Sequence, residues 1–279
     1  MGSGVASPFP VRLLPRRYSP AHDENRMRFD GDSAHARQAF LATRPRNLTA
    51  LLRHRYAWMN DYITPDAIAV EIGCGAGLAQ FFIDAPRLLM TEVTPHPWVD
   101  ICLDARLLPF APDSVDAFIC SNVLHHVPSP ATFLRDMHAC LKPGGCLLIQ
   151  EPNPSLLMLL ALRLMRHEGW SFEVDVFDPS AQASDPRDAW AGNNAVSYLL
   201  FHDLPRFAEA VPGFRIVYDR YMECTLFPLS GGVTAKTRTA QLPAPMLRAL
   251  RWLDDVLCQM APSVFAMGRS IALRKEAAA

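Results

Sequence analysis

Ala69-Val-Glu-Ile-Gly-Cys-Gly-Ala-Gly77 decides how the rest of this chain is read. A short β-branched run ends in an acid, and glycines then occupy every second position. The Val/Ile run predicts a buried parallel strand. Gly73, Gly75 and Gly77 let the backbone turn tightly and approach a ligand closely. Leu78–Ile83 reads as a short helix whose N-terminus would point amide donors at that ligand. Strand, glycine loop and helix together predict a nucleotide-type site.

Working outward, 279 residues suit one large α/β domain or a core with sizeable insertions. An apolar share of 50% is ample for a core. A net charge of −1 argues against an electrostatic nucleic-acid binder. None of the seven cysteines forms a C-x-x-C pair or clusters with histidine, so reduced, mostly buried thiols in a cytoplasmic protein are expected and no metal site is predicted. The N-terminus lacks the order of a signal peptide. No apolar run reaches the ~20 residues needed to span a bilayer.

Residues 1–45 read as an N-terminal arm, partly disordered, with 1–20 poorly ordered and Arg26–Gly31 either a surface arm or a flap over the core. Residues 46–279 read as the main domain. Asn47 reads as a helix cap, and Leu48, Leu51, Leu52, Tyr56, Met59 and Ile63 follow at helical spacing. Strands are expected at 68–72, 87–93, 117–121 and 146–150, with a short strand-like run ending at Asp104. A helix is expected at 130–141 between the third and fourth long strands. Such alternation implies a Rossmann-like, doubly wound, mostly parallel sheet. After Pro154 the pattern changes. Helices are expected at 156–165, 202–211 and 246–260, and strands at 214–226 and 263–275. The last two strands suggest an antiparallel C-terminal edge. Insertions at about 155–200 and 227–262 are the natural lid, with acceptor choice residing there.

The spacing G-x-G-x-G differs from the dinucleotide fingerprint G-x-G-x-x-G, because position 78 is leucine. The order of the later pieces is more specific. Val70–Gly77 is followed by Glu92, then Asp104 with Leu108-Pro-Phe110, then Asp116, then Asn122-Val-Leu-His-His-Val127, then Leu141-Lys-Pro-Gly-Gly145. Over about 66–153 the chain resembles the class I S-adenosylmethionine-dependent methyltransferases, specifically the small-molecule type that includes the ubiquinone and menaquinone methyltransferases.

That resemblance implies S-adenosylmethionine as cofactor and assigns roles. Glu71, Gly73, Cys74, Gly75 and Gly77 would line the methionine moiety. Glu92, 19 positions after Gly73, would hold the ribose diol, a placement that the dinucleotide folds share. Asp104 and Ala105 would meet the adenine, and Asn122 and Leu124 would sit beside the cofactor. Val93-Thr-Pro-His-Pro-Trp98 departs from the family, and Trp98 would either cover the adenine or fill the space of a missing helix. A hydroxyl acceptor needs a base, for which His125, His126, Glu151 and His202 are the candidates. The expected acceptor is a small molecule, glycan or lipid-linked group, methylated at oxygen. An apolar lid helix bearing Arg163 and Arg166 could rest on a membrane surface. The sequence does not specify an oligomeric state. Two other readings stand beside this one: a non-catalytic cofactor-binding regulator of the same fold, and a nucleotide-dependent oxidoreductase, which the glycine spacing disfavours.

Overall fold

The computed structural model describes residues 14–20, 32–166, 168–188, 191–233 and 239–277. Among them the strands are β1 (Arg17–Tyr18), β2 (Ile68–Ile72), β3 (Arg87–Glu92), β4 (Ile101–Cys102), β5 (Val115–Ser121), β6 (Leu141–Pro152), β7 (Trp170–Ser171), β8 (Phe214–Met222) and β9 (Gly268–Lys275). The helices are α1 (Asp32–Thr43), α2 (Arg46–Tyr56), α3 (Pro130–Cys140), α4 (Leu156–Met165), α5 (Val196–Phe201), α6 (Leu204–Ala210), α7 (Leu226–Ser230), α8 (Ala244–Met260) and α9 (Pro262–Phe265).

Seven strands form one sheet in the order β4-β3-β2-β5-β6-β9-β8. β2 pairs in parallel with β3 and β5, and β5 with β6. β9 lies antiparallel between β6 and β8. The sheet is therefore doubly wound and mostly parallel with an antiparallel edge. Its order reverses between β2 and β5, which opens a crevice at their carboxyl ends.

Side-chain alternation assigns each face. Val70 and Ile72 of β2, Phe118 and Cys120 of β5, and Leu147 and Ile149 of β6 pack with Phe133, Leu134 and Met137 of α3. The opposite residues, Ala69, Ile119 and Leu148, pack with Leu48, Leu51 and Leu52 of α2. Glu71 shares the second face, which carries its carboxylate to the end of α2, where the Tyr56 hydroxyl donates to it at 3.3 Å.

Several local expectations need correction. Asn47 does not cap α2, whose N-cap is Pro45. Its side chain instead donates to Leu229 O and Ala240 O and accepts from Leu242 N, tying α2 to the second insertion. After Gly77 there is a single 3-10 turn, Ala79–Phe81, rather than a helix. Only nine residues separate Gly77 from β3, and Asp84-Ala-Pro86 occupies the last of them, so no helix dipole points at the crevice. Residues 14–20 are not loose: Arg17 and Tyr18 pair with Ser171 and Trp170, and Trp170 Nε1 donates to Pro15 O at 3.0 Å. Arg26–Gly31 and Trp190 lie outside the described residues. The start of the second insertion is formed by α7, whose first turn is held by buried Asp254 accepting the N–H groups of Cys224, Thr225 and Leu226. The cysteines are free thiols, all buried except Cys102. Among the described residues, no helix is long and apolar enough to cross a membrane.

Candidate active site

The carboxyl ends of β2, β3, β5 and β6 open on a cavity of about 770 Å³, within the usual range for small-molecule sites. Gly73, Cys74 and Gly75 form one wall. Gly75 adopts φ +49°, and a Cβ there would meet nothing nearer than Ser33 Oγ at 3.9 Å, so its backbone stays open to a ligand. Glu92 stands at the end of β3. Its Oε2 accepts Gly75 N–H at 2.9 Å and its Oε1 accepts Val93 N–H at 2.7 Å. Asp104 lies beside it and is gripped by Arg106, which holds its carboxyl below the usual range.

Glu71 is buried behind the glycine loop. Its Oε2 has no hydrogen-bond partner, and burial pushes its pKa up to about 8.

Asn122 follows β5 at φ +56°, a left-handed conformation that asparagine tolerates better than most residues. The chain then turns sharply through Leu124–His126. Buried Glu151, from the end of β6, organises this turn. It accepts Val123 N–H and Leu124 N–H at 2.7 Å each and His125 N–H at 3.3 Å. It also faces His125 Nδ1 at 2.6 Å. On the other side of that ring, His125 Nε2 lies 3.4 Å from Glu168 Oε2. Burial disfavours charge on His125, but the two carboxylates outweigh it and raise its pKa to about 10. Burial and the neighbouring His125 charge lower His126 to about 4.

The first insertion supplies Met158, Leu162, Met165 and Glu168 to the cavity, and the second supplies Phe227 and Gly231–Val233. Residues 70–149 match the family model described as a methyltransferase domain. That match and the sheet order agree with a class I methyltransferase-like fold.

A ubiquinone biosynthesis O-methyltransferase of Xanthomonas campestris pv. campestris is 32% identical over 115 residues, covering 33% of this chain and 48% of the relative. An uncharacterized methyltransferase of Mycobacterium leprae is 30% identical over 108 residues, covering 33% of this chain and 40% of the relative. The chain thus spans about half the length, or less, of these curated relatives. A solved S-adenosylmethionine-dependent methyltransferase from Archaeoglobus fulgidus superposes at a TM-score of 0.47 with 17% identity, covering 81% of this chain and 93% of that one. The domain match and the sheet order agree with S-adenosylmethionine as cofactor. The residues present fit a cationic, sulfonium-bearing ligand: an open glycine backbone and a strand-end carboxylate face the cavity.

Gly73, Cys74, Gly75, Glu92, Asp104, Ala105, Asn122, His125, His126 and Glu151 all reach the cavity. Three expected cofactor residues stand behind its wall. Leu124 is buried in the core beneath the turn. Glu71 points to Tyr56 because strand alternation turns it away. Gly77 is covered by Trp98, whose Cδ1 would lie 2.4 Å from a Cβ there. Trp98 therefore fills the space of the missing helix, donating to Gly75 O at 2.9 Å, and does not line the cavity.

The candidate bases also sort themselves. His202 stacks on Tyr198 and faces helix carbonyls, away from the cavity. Glu151 is committed to backbone donors and His125. The two carboxylates beside His125 favour its protonated form, which is a poor base.

The sequence reading missed Glu168, which lies 42 residues beyond His126 with no motif around it. It also missed the buried pair Arg55–Glu223, bidentate at 2.7 and 2.6 Å, which lines the cavity from α2 and the end of β8. Arg55 does fall on the helical face that the periodicity of α2 marks as half buried, which is the one signal available for it.

Proposed function

We propose that this chain transfers the methyl group of S-adenosylmethionine to an oxygen of a small acceptor, which is a small molecule, a glycan or a lipid-linked group, by in-line displacement. The observation that carries the reading is the meeting, in one cavity, of an open glycine loop with its strand-end acid and a separate polar cluster, His125, His126 and Glu168. The curated ubiquinone O-methyltransferases support oxygen as the acceptor atom.

Gly73–Gly75 and Glu92 would hold the cofactor's methionine and ribose parts, and Asp104 with the Ala105 backbone the adenine. Bound there, the cofactor supplies a methyl group already activated on a sulfonium. The chain's own contribution is orientation and exclusion of water, an effect worth about 7–11 kcal/mol in well-positioned reactions. Met158, Leu162, Met165 and Phe227 form the apolar wall that would shield the reacting atoms and seat an apolar acceptor. The His125–His126–Glu168 end would receive the acceptor hydroxyl. On the outer side of α4, Leu160 and Leu164 are exposed beside Arg163. That combination suits contact with a membrane surface and supports a lipid-linked acceptor.

Calorimetric titration with S-adenosylmethionine and NADH in parallel tests the cofactor, and labelled methyl transfer to matched hydroxyl and amine acceptors tests the atom. Preference for NADH, or methyl transfer confined to amines, would overturn the reading.

A further inference from the structure

We propose that His125, His126 and Glu168 form a binding site for one divalent transition-metal cation of the zinc class, opening on the cavity. Ligand atoms from the three residues lie within 4.8 Å of one another. Both imidazoles turn Nε2 toward one carboxylate, His125 at 3.4 Å from Oε2 and His126 at 3.7 Å from Oε1. These separations are longer than the roughly 2.7–3.2 Å of a well-formed N–H···O hydrogen bond, though His125 and Glu168 still attract each other. The separations are close to the spacing of two ligands around a tetrahedral ion, about 3.3 Å for bonds near 2.0–2.1 Å.

The outer side of the cluster is built in the same sense. His125 Nδ1 faces Glu151 Oε2 at 2.6 Å, and His126 Nδ1 faces Ala191 O at 3.2 Å. Metal-ligating histidines characteristically hold a carboxylate or a carbonyl on the nitrogen remote from the metal, which sets the tautomer and aims the ring. Glu168 is oriented in turn by Asn194, whose Nδ2 donates to Oε2 at 2.9 Å. Gly192 lets the chain pass over the cluster, since a Cβ there would lie 3.0 Å from His125 and 3.2 Å from Glu168.

Two imidazoles and one carboxylate suit zinc, cobalt or iron(II), whereas magnesium and calcium prefer an all-oxygen shell. Three protein ligands leave a fourth position, the pattern of catalytic rather than structural zinc sites. All three side chains line the cavity, so that position is available to an oxygen of the acceptor. This use, though not the site itself, rests on the methyltransferase reading. A metal-held hydroxyl gives up its proton more readily. The proton leaves to solvent, an oxygen lone pair forms the new C–O bond, and the electron pair of the broken S–C bond stays on sulfur.

The test uses the full chain stripped with a chelator and titrated with Co²⁺, with Zn²⁺ added in competition. A single equivalent is expected, giving the visible absorption of four- or five-coordinate cobalt and displaced by zinc. Glu168→Gln and His126→Asn should each weaken Co²⁺ binding by more than about 100-fold, beyond the 10–100-fold typical of losing an outer partner. If one variant does not fold, the other decides, and the wild-type stoichiometry is read independently. Absence of stoichiometric uptake by the folded wild type, or uptake unchanged in the variants, would overturn the site. S-adenosylmethionine affinity of the metal-free wild type is measured alongside. Its loss would overturn the methyltransferase reading and leave the metal result standing.

Discussion

His125 Nδ1 lies 2.6 Å from Oε2 of Glu151, and the other oxygen of that carboxylate accepts two backbone N–H groups of the turn that carries His125. The carboxylate therefore shapes the loop and aims the ring at once. It is a positioning residue, whatever the acceptor.

Glu151→Ala strands buried N–H donors of Val123 and Leu124. Each unsatisfied group costs about 1–3 kcal/mol, so a stability loss of roughly 2–6 kcal/mol is expected in denaturant melts. Glu151→Gln keeps an acceptor for both and should lose clearly less. Equal losses in the two variants would show that something else holds the turn.

Glu92 should matter twice, through the ribose and through Gly75. Glu92→Ala is expected to weaken S-adenosylmethionine binding at least tenfold, about 1.4 kcal/mol, by calorimetry. An unchanged affinity would remove Glu92 from the cofactor site.

Glu71 makes stability depend on pH. In the fold its pKa is about 8, against 4.5 for a free glutamate side chain. Across that window the native state binds the extra proton, so stability is greatest below it, falls as pH rises through it and levels off above about 8. The slope contributed by one proton is at most about 1.36 kcal/mol per pH unit. Glu71→Gln should flatten the pH dependence of urea unfolding between about pH 5 and 8. Parallel curves for variant and wild type would contradict a buried, protonated carboxyl.

Gly77 has φ +62°, and Trp98 leaves no room for a Cβ. Gly77→Ala should cost about 1–3 kcal/mol from overpacking, plus about 1–2 kcal/mol for the left-handed backbone. Trp98→Ala in the same chain should recover the first part and not the second. Additive losses in the double-mutant cycle would mean that the indole does not close over the loop.

What the sequence by itself determined is the part written in short-range pattern. Short, nearly continuous apolar runs at 68–72, 117–121 and 146–150 identify the central strands, and G-x-G-x-G marks the turn beyond the first of them. The alternation of elements then dictates a doubly wound sheet, and strand ends place Glu92, Asp104 and Asn122 at one edge of it. Tertiary structure decided which of these groups are spoken for. Glu71 faces Tyr56 because alternation turns it away from the crevice, and Trp98 occupies Gly77 because two prolines prevent a helix from doing so. Glu168 joins His125 and His126 only because the first insertion folds back over the carboxyl edge of the sheet. Approach across 42 residues leaves no local period to read, since it is set by packing between distant elements rather than by the backbone preferences of either.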